Sequence, residues 1–279
     1  MDTPDICRKW CPISFSVPGP DEDGSPEEDG PGSCLYIMEK VATPEPDQGQ
    51  FEAFVYTSAE TSFSKSWYRH SLPPPPYVLH PSYQLARIYS QAVLGGGSHL
   101  CISALGHGTY CFDTASREWS HAGDWILPVY GMAEYVPELN LWFGLSEKDL
   151  LPCAFDLSSV LEGRKPTLTD IWRINYPPDW CSHGITNIIS LGAGRFCIVK
   201  FFETMQEGTY CFGEPVVDEI FAVFTGVELL SSCAKGVKLN GNGKGTCSGN
   251  HNGKQGIRMV KHMSKVHVLT GYTTIEAIL

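Results

Sequence analysis

The sequence contains no run approaching the ~18 apolar residues that a membrane helix requires. Its opening residues lack the basic-then-apolar order of a secretory signal. These absences lead us to expect an intracellular protein of cytoplasm or nucleus, with no membrane partner. Long helical patterning is missing as well, and only Val160–Arg164 suggests a single turn. Bases are absent from residues 17–33, which hold six acids, and acids are absent from residues 229–275, which hold seven bases. A formal net charge of −11 disfavours general nucleic-acid binding. It leaves only a weak local phosphate contact through the basic segment 235–265.

Metal and cofactor patterns are also missing. Cys7 and Cys11 have no second pair at zinc-finger distance. His262 and His267 lie in a basic segment unfavourable to a cation, so no metal site is expected. The glycine-rich stretches fail nucleotide patterns at definite positions: Leu100 and Cys197 stand where a final glycine belongs, and Gly245 follows Gly243-Lys244. No cofactor is therefore expected. Cys181-Ser-His183 places a thiol and an imidazole on one face of a strand, yet no third orienting group is evident. A loop between sheets is the reading taken, and no catalytic residue is assigned. The eleven cysteines include Cys101, Cys111, Cys153, Cys197 and Cys211 inside apolar strand-like runs. They are expected to be reduced core thiols.

What the sequence does contain is a recurring strand. Gly108-Thr-Tyr-Cys-Phe-Asp113 alternates Tyr110 and Phe112, turns at Asp113 and returns through Trp119. Asp suits that turn because its carboxylate accepts the backbone N–H two residues on. Phe155-Asp156 repeats the aromatic–Asp step, and Gly208-Thr-Tyr210-Cys-Phe212 repeats the opening pentapeptide. The recurrence fits one and then two units of roughly 40–50 residues, the period of propeller blades. A four-stranded blade cannot hide both faces alone, so Trp119, Trp125, Trp142, Phe143 and Trp172 are expected to seal neighbouring blades.

The aromatic–Asp–turn–Trp pattern resembles the kelch repeat, without its double glycine at every blade. Several segments in order more closely resemble a plant family, largely from grasses, termed domain of unknown function 1668. They include Leu35–Glu39, Phe51–Ala53, Leu72–Val78, Gly108–Asp113, Gly123–Trp125, Glu134–Glu138, Leu141–Gly144, Leu191–Ile198 and Arg258–His262. The resemblance spans about 35–265 and implies a kelch-like propeller of uncharacterised function, with no catalytic residues to carry over. Members of that family usually have more strand repeats before the Leu-Tyr-Ile-Met position, so the chain is expected to be N-terminally shortened.

The expected fold is an all-β, kelch-like β-propeller of about four to five blades, with closure of the ring left open. Residues 1–33 are expected to form a disordered acidic leader and 34–279 the propeller-like domain, interrupted by a flexible insert at 231–256. The expected function is protein interaction without catalysis, through loops Leu72–Pro81, Leu94–Ser98, Gly123–Gly131, Glu147–Leu151 and Trp180–His183. The protein partner is not identified by the sequence. A propeller enzyme acting on a small polar substrate is the alternative.

Overall fold

A computed structural model describes residues 11–17, 33–43, 49–58, 65–211, 214–232 and 256–269. Within them the chain is all-β, and its only helical segments are three short 3-10 turns. The first four strands are β1 (Pro12–Val17), β2 (Cys34–Glu39), β3 (Phe51–Ser58) and β4 (Lys65–Ser71). Next come β5 (Ile88–Leu94), β6 (His99–Ala104), β7 (Gly108–Asp113) and β8 (Glu118–Gly123). They are followed by β9 (Val129–Val136), β10 (Leu141–Ser146), β11 (Pro152–Asp156) and β12 (Thr167–Ile171). The last are β13 (Cys181–Ser190), β14 (Arg195–Cys211), β15 (Glu214–Ser232) and β16 (Gly256–Val268).

Strands β1 to β4 form one sheet in chain order, as do β13 to β16. The middle eight are ordered β12-β11-β10-β9-β5-β6-β7-β8. That order is two four-stranded meanders joined at their first strands, where Ser90–Ala92 run parallel to Gly131–Ala133. Repeated four-stranded meanders are the construction of propeller blades, and parallel first strands are what radial stacking of such blades places side by side. By position, β7 and β11 are the third strands of successive meanders.

Residues 12–17 correct the expected leader. They form β1, with Phe15 opposite Tyr36 and Ile13 opposite Met38. Ile13 and Phe15 alternate onto the buried face, which is why this short segment is drawn into the sheet. Residues 1–10 and 18–32 of that leader, and 233–255 of the insert, lie outside the described residues. Residues 231–232 and 256 belong instead to β15 and β16. At the C-terminal end β16 is one strand of 13 residues, paired antiparallel with β15 through a register shift between Thr225 and Val227.

The cysteines bring a second correction. Cys101 on β6 and Cys111 on β7 are direct cross-strand partners, with Cα atoms 4.2 Å apart, and they are joined as a disulfide. Sequence position hides this, because the pairing depends on the register of the hairpin. Cys153 is a buried free thiol as expected, and burial pushes its pKa up. Cys197 is free and half-buried.

The chain divides into two compact units, 1–135 with 146–148 and 155–169, and 136–145 with 149–154 and 170–279. In the first, Phe112 is fully buried, its ring edge-on to Phe51 at 4.9 Å and against Trp119 at 5.1 Å. Phe51 belongs to β3, so these rings join the first sheet to the β5–β8 meander. Each such ring buries about 150–250 Å2. In the second unit Phe143 packs on Phe196 at 4.5 Å and on Trp172 at 6.1 Å. A separate group there joins Tyr176, Trp180, Phe202 and Phe221.

Candidate functional site

The repeat markers occupy definite places. Asp113 ends β7, and its Oδ1 accepts the backbone N–H of Ala115 at 2.8 Å and of Ser116 at 3.0 Å. Those two bonds hold its carboxyl below the ordinary range. Asp156 ends β11 with the same turn, its Oδ1 accepting from Ser158 N at 2.9 Å. Phe112 and Phe155 are both fully buried. Trp119 is half-buried, and its indole Nε1–H donates to Pro73 O at 2.9 Å. Gly208 and Tyr210 fall on β14, the second strand of its sheet, so the third copy of the pentapeptide does not share the third-strand position of β7. Phe212 lies outside the described residues.

The markers therefore organise turns and cores. A concavity lies elsewhere in the first unit. Antiparallel strands alternate direction, so the β4–β5 connection and the β6–β7 turn emerge at one end of the β5–β8 meander. There Pro76, Tyr77, His80, Ser82, Gln84, Leu85, Ala86, Leu105, Gly106, His107 and Tyr110 line a half-open pocket of about 720 Å3. The prolines before Tyr77 lack N–H donors and lead directly into a 3-10 turn at Pro76–Leu79. That turn lays Tyr77 into the fold, where it is 4 % exposed.

Aromatic rings fix this floor. Tyr77 stacks on His107 at 5.0 Å and 21°, and its ring lies 5.3 Å from Tyr110 and 5.9 Å from Tyr83. Tyr110 in turn meets His121 at 4.9 Å. The Tyr83 hydroxyl is satisfied, donating to Ala42 O at 2.6 Å and accepting from Ala86 N at 3.2 Å. The Tyr77 hydroxyl has no hydrogen-bond partner among the described residues. Burial, with smaller contributions from Tyr83 and Tyr110, pushes the Tyr77 phenol well above its ordinary pKa, so it stays a donor. At the rim, Leu85 is 70 % and Leu105 50 % exposed.

The model of a family described as "Protein of unknown function (DUF1668)" matches residues 2–267. The chain belongs to that family. No curated protein matches it. Among solved structures, this DUF1668 chain is similar to the crystal structure of the β-propeller domain of Myceliophteria thermophila Cps50 (Swd1), at 11% identity and a TM-score of 0.31. That overlap takes in 74% of this chain and 64% of the other, less than two thirds of its length.

Of the expected recognition loops in this DUF1668 protein, Leu72–Pro81 supplies pocket residues. The Leu105–His107 turn, which supplies the facing wall, was not among them. Its signal in the sequence was faint: a Gly-His-Gly tip just before the marker strand. Cys181 and His183 are not in a loop but at the start of β13. Glu203, opposite Cys181 on β14, accepts a hydrogen bond from His183 Nδ1 at 2.8 Å when that nitrogen carries the proton. It is the orienting carboxylate that sequence spacing could not reveal. Residues 181–184 are all exposed on an open strand end, which offers no enclosure for acyl chemistry.

Of the remaining metal and phosphate candidates, Cys7, Lys235, Lys238, Lys244 and Lys254 lie outside the described residues. No group of three or more His, Cys, Asp or Glu is placed to hold a metal among the described residues. His262 pairs with Glu228 at 3.0 Å. Of the expected basic segment, Arg258, Lys261 and Lys265 lie along β16, where Lys261 sits 5.9 Å from the Tyr176 ring centre. No helix among the described residues is long and apolar enough to cross a membrane.

Proposed function

We propose that this chain is an intracellular protein-interaction module of kelch-like, plant type, recognising a protein partner through the pocket end of the β5–β8 meander. The observation that carries the reading is the aromatic-floored pocket rimmed by Leu85 and Leu105, with Leu79 also exposed nearby. Exposed large apolar side chains grouped around a concavity are what a protein-binding surface presents. They sit on connections held by packed strands, where recognition residues gain a rigid support. Nothing in this arrangement calls for a catalytic step.

The test is affinity capture from the native tissue with chemical cross-linking, comparing the wild type with a Leu79→Ser, Leu85→Ser, Leu105→Ser variant. All three side chains are exposed, so circular dichroism and the melting midpoint should be nearly unchanged. The variant is expected to lose one or more partners reproducibly. Retention of every partner by a folded variant would overturn the reading.

A further inference from the structure

We propose that β16 is a docking edge for an acidic, extended segment of a partner polypeptide, which adds to the β13–β16 sheet as a further strand. This surface belongs to the second unit, and the pocket in the first is not needed for it.

Three observations converge on that occupant. First, β16 ends its sheet, with β15 on one side and no strand on the other among the described residues. At 13 residues it is the longest strand at any sheet edge there, whereas exposed edges are ordinarily kept short. The Leu269 N–H donates to Ile220 O at 3.0 Å, so the backbone of Leu269 faces β15. Backbone direction alternates along a strand, and the N–H and C=O groups of Val266 and Val268 therefore point away from β15. An open row of this kind is what an incoming strand pairs with.

Second, the edge carries one sign of charge. Arg258, Lys261 and Lys265 stand on β16, and no Asp or Glu occurs from 229 to 275. None of the three is in an ion pair among the described residues, and Glu228 on β15 is taken up by His262. A second copy of β16 laid alongside would set like charge against like. An acidic strand would gain cross-strand pairs instead. Third, Met263, Val266 and Val268 are exposed apolar side chains on the same strand. Side chains of the added strand would cover them, so apolar burial would accompany the backbone bonds. The main chain would supply affinity, and the charges would select the partner.

The experiment titrates the full chain with the acetylated, amidated peptide Thr-Glu-Val-Asp-Glu-Val-Glu-Thr. Its controls are a counterpart with Lys for every acid and an acidic form N-methylated along its backbone. The acidic peptide is expected to bind saturably, about tenfold or more tighter than either control. Amide hydrogen exchange at Val266 and Val268 should slow on saturation, whereas ionic adsorption to side chains alone would leave it unchanged. Val266→Pro removes one outward N–H without breaking the ladder to β15, a placement that proline tolerates. It should weaken the acidic peptide about fivefold or more. An Arg258→Gln, Lys261→Gln, Lys265→Gln variant, altered only at exposed sites, keeps the test decisive should the proline variant not fold. It should bring the acidic and Lys peptides within about twofold of each other. The inference is overturned if the acidic peptide does not saturate, if either control binds as tightly, or if a folded Val266→Pro chain keeps full affinity. It is overturned equally if oligothymidylate displaces the peptide with the same affinity, which would make β16 a general polyanion surface. A dimer of the chain alone that Val266→Pro dissociates would make the occupant a second copy, and would also refute it.

Discussion

At Asp113 a single carboxylate oxygen serves two backbone N–H groups, and that arrangement has a pH signature. The folded pKa lies below its unfolded value, so the contribution is present above the usual Asp range and lost as pH falls through the depressed value. Asp113→Ala should lower the melting midpoint at neutral pH and flatten its decline on acidification; Asp113→Asn, which keeps an acceptor oxygen, should do less at neutral pH. Thermal melts between about pH 2 and pH 7 check both. Glu134 has the opposite sign. Burial raises its pKa, so the charged form costs stability at neutral pH and the cost disappears as pH falls through the raised value. Glu134→Gln is expected to raise the neutral-pH midpoint. Gly108 is constrained differently: its φ is +88°, and an added Cβ would run into the Gly123 carbonyl. Gly108→Ala should destabilise by more than about 1 kcal/mol in denaturant titration.

Between β6 and β7 the disulfide ties two strands already in antiparallel register. Proteolytic mapping without reductant should recover Cys101 joined to Cys111, whereas separate alkylated peptides would refute the link. Reductant should lower the melting midpoint, by the loss of a cross-link closing a short loop. Patterning of residues made most of these strands readable. Ile13 and Phe15 alternate within β1, and Ser90, Ala92 and Leu94 face one way along β5. What alternation could not convey was which strand each one meets. Cys101 therefore read as a core thiol, and Cys181 with His183 read as a loop lacking the carboxylate that β14 brings.

For the molecule as a whole, the contact of Phe51 with Phe112 joins one four-stranded sheet to the next. Phe112→Ala should cost about 3–5 kcal/mol by denaturant titration, the range for emptying a fully buried aromatic site. A change below about 1 kcal/mol would mean that these sheets do not depend on that ring. The family match extends to residue 2, so it includes β1 as well as the later motifs. That agrees with the burial of Phe15 in the first sheet.

The sequence alone determined that the chain is built from strands and where Asp113 and Asp156 turn them. These follow from local alternation and turn chemistry, which act over a few neighbouring residues. Only the tertiary structure decided the parallel meeting of β5 with β9, the Cys101–Cys111 bond and the pocket beneath Leu85 and Leu105. Each depends on strand register and on contacts between distant segments. Tyr77 shows the difference most plainly: its place after a proline run is written in the sequence, but its unpaired hydroxyl is a property of how the fold closes around it.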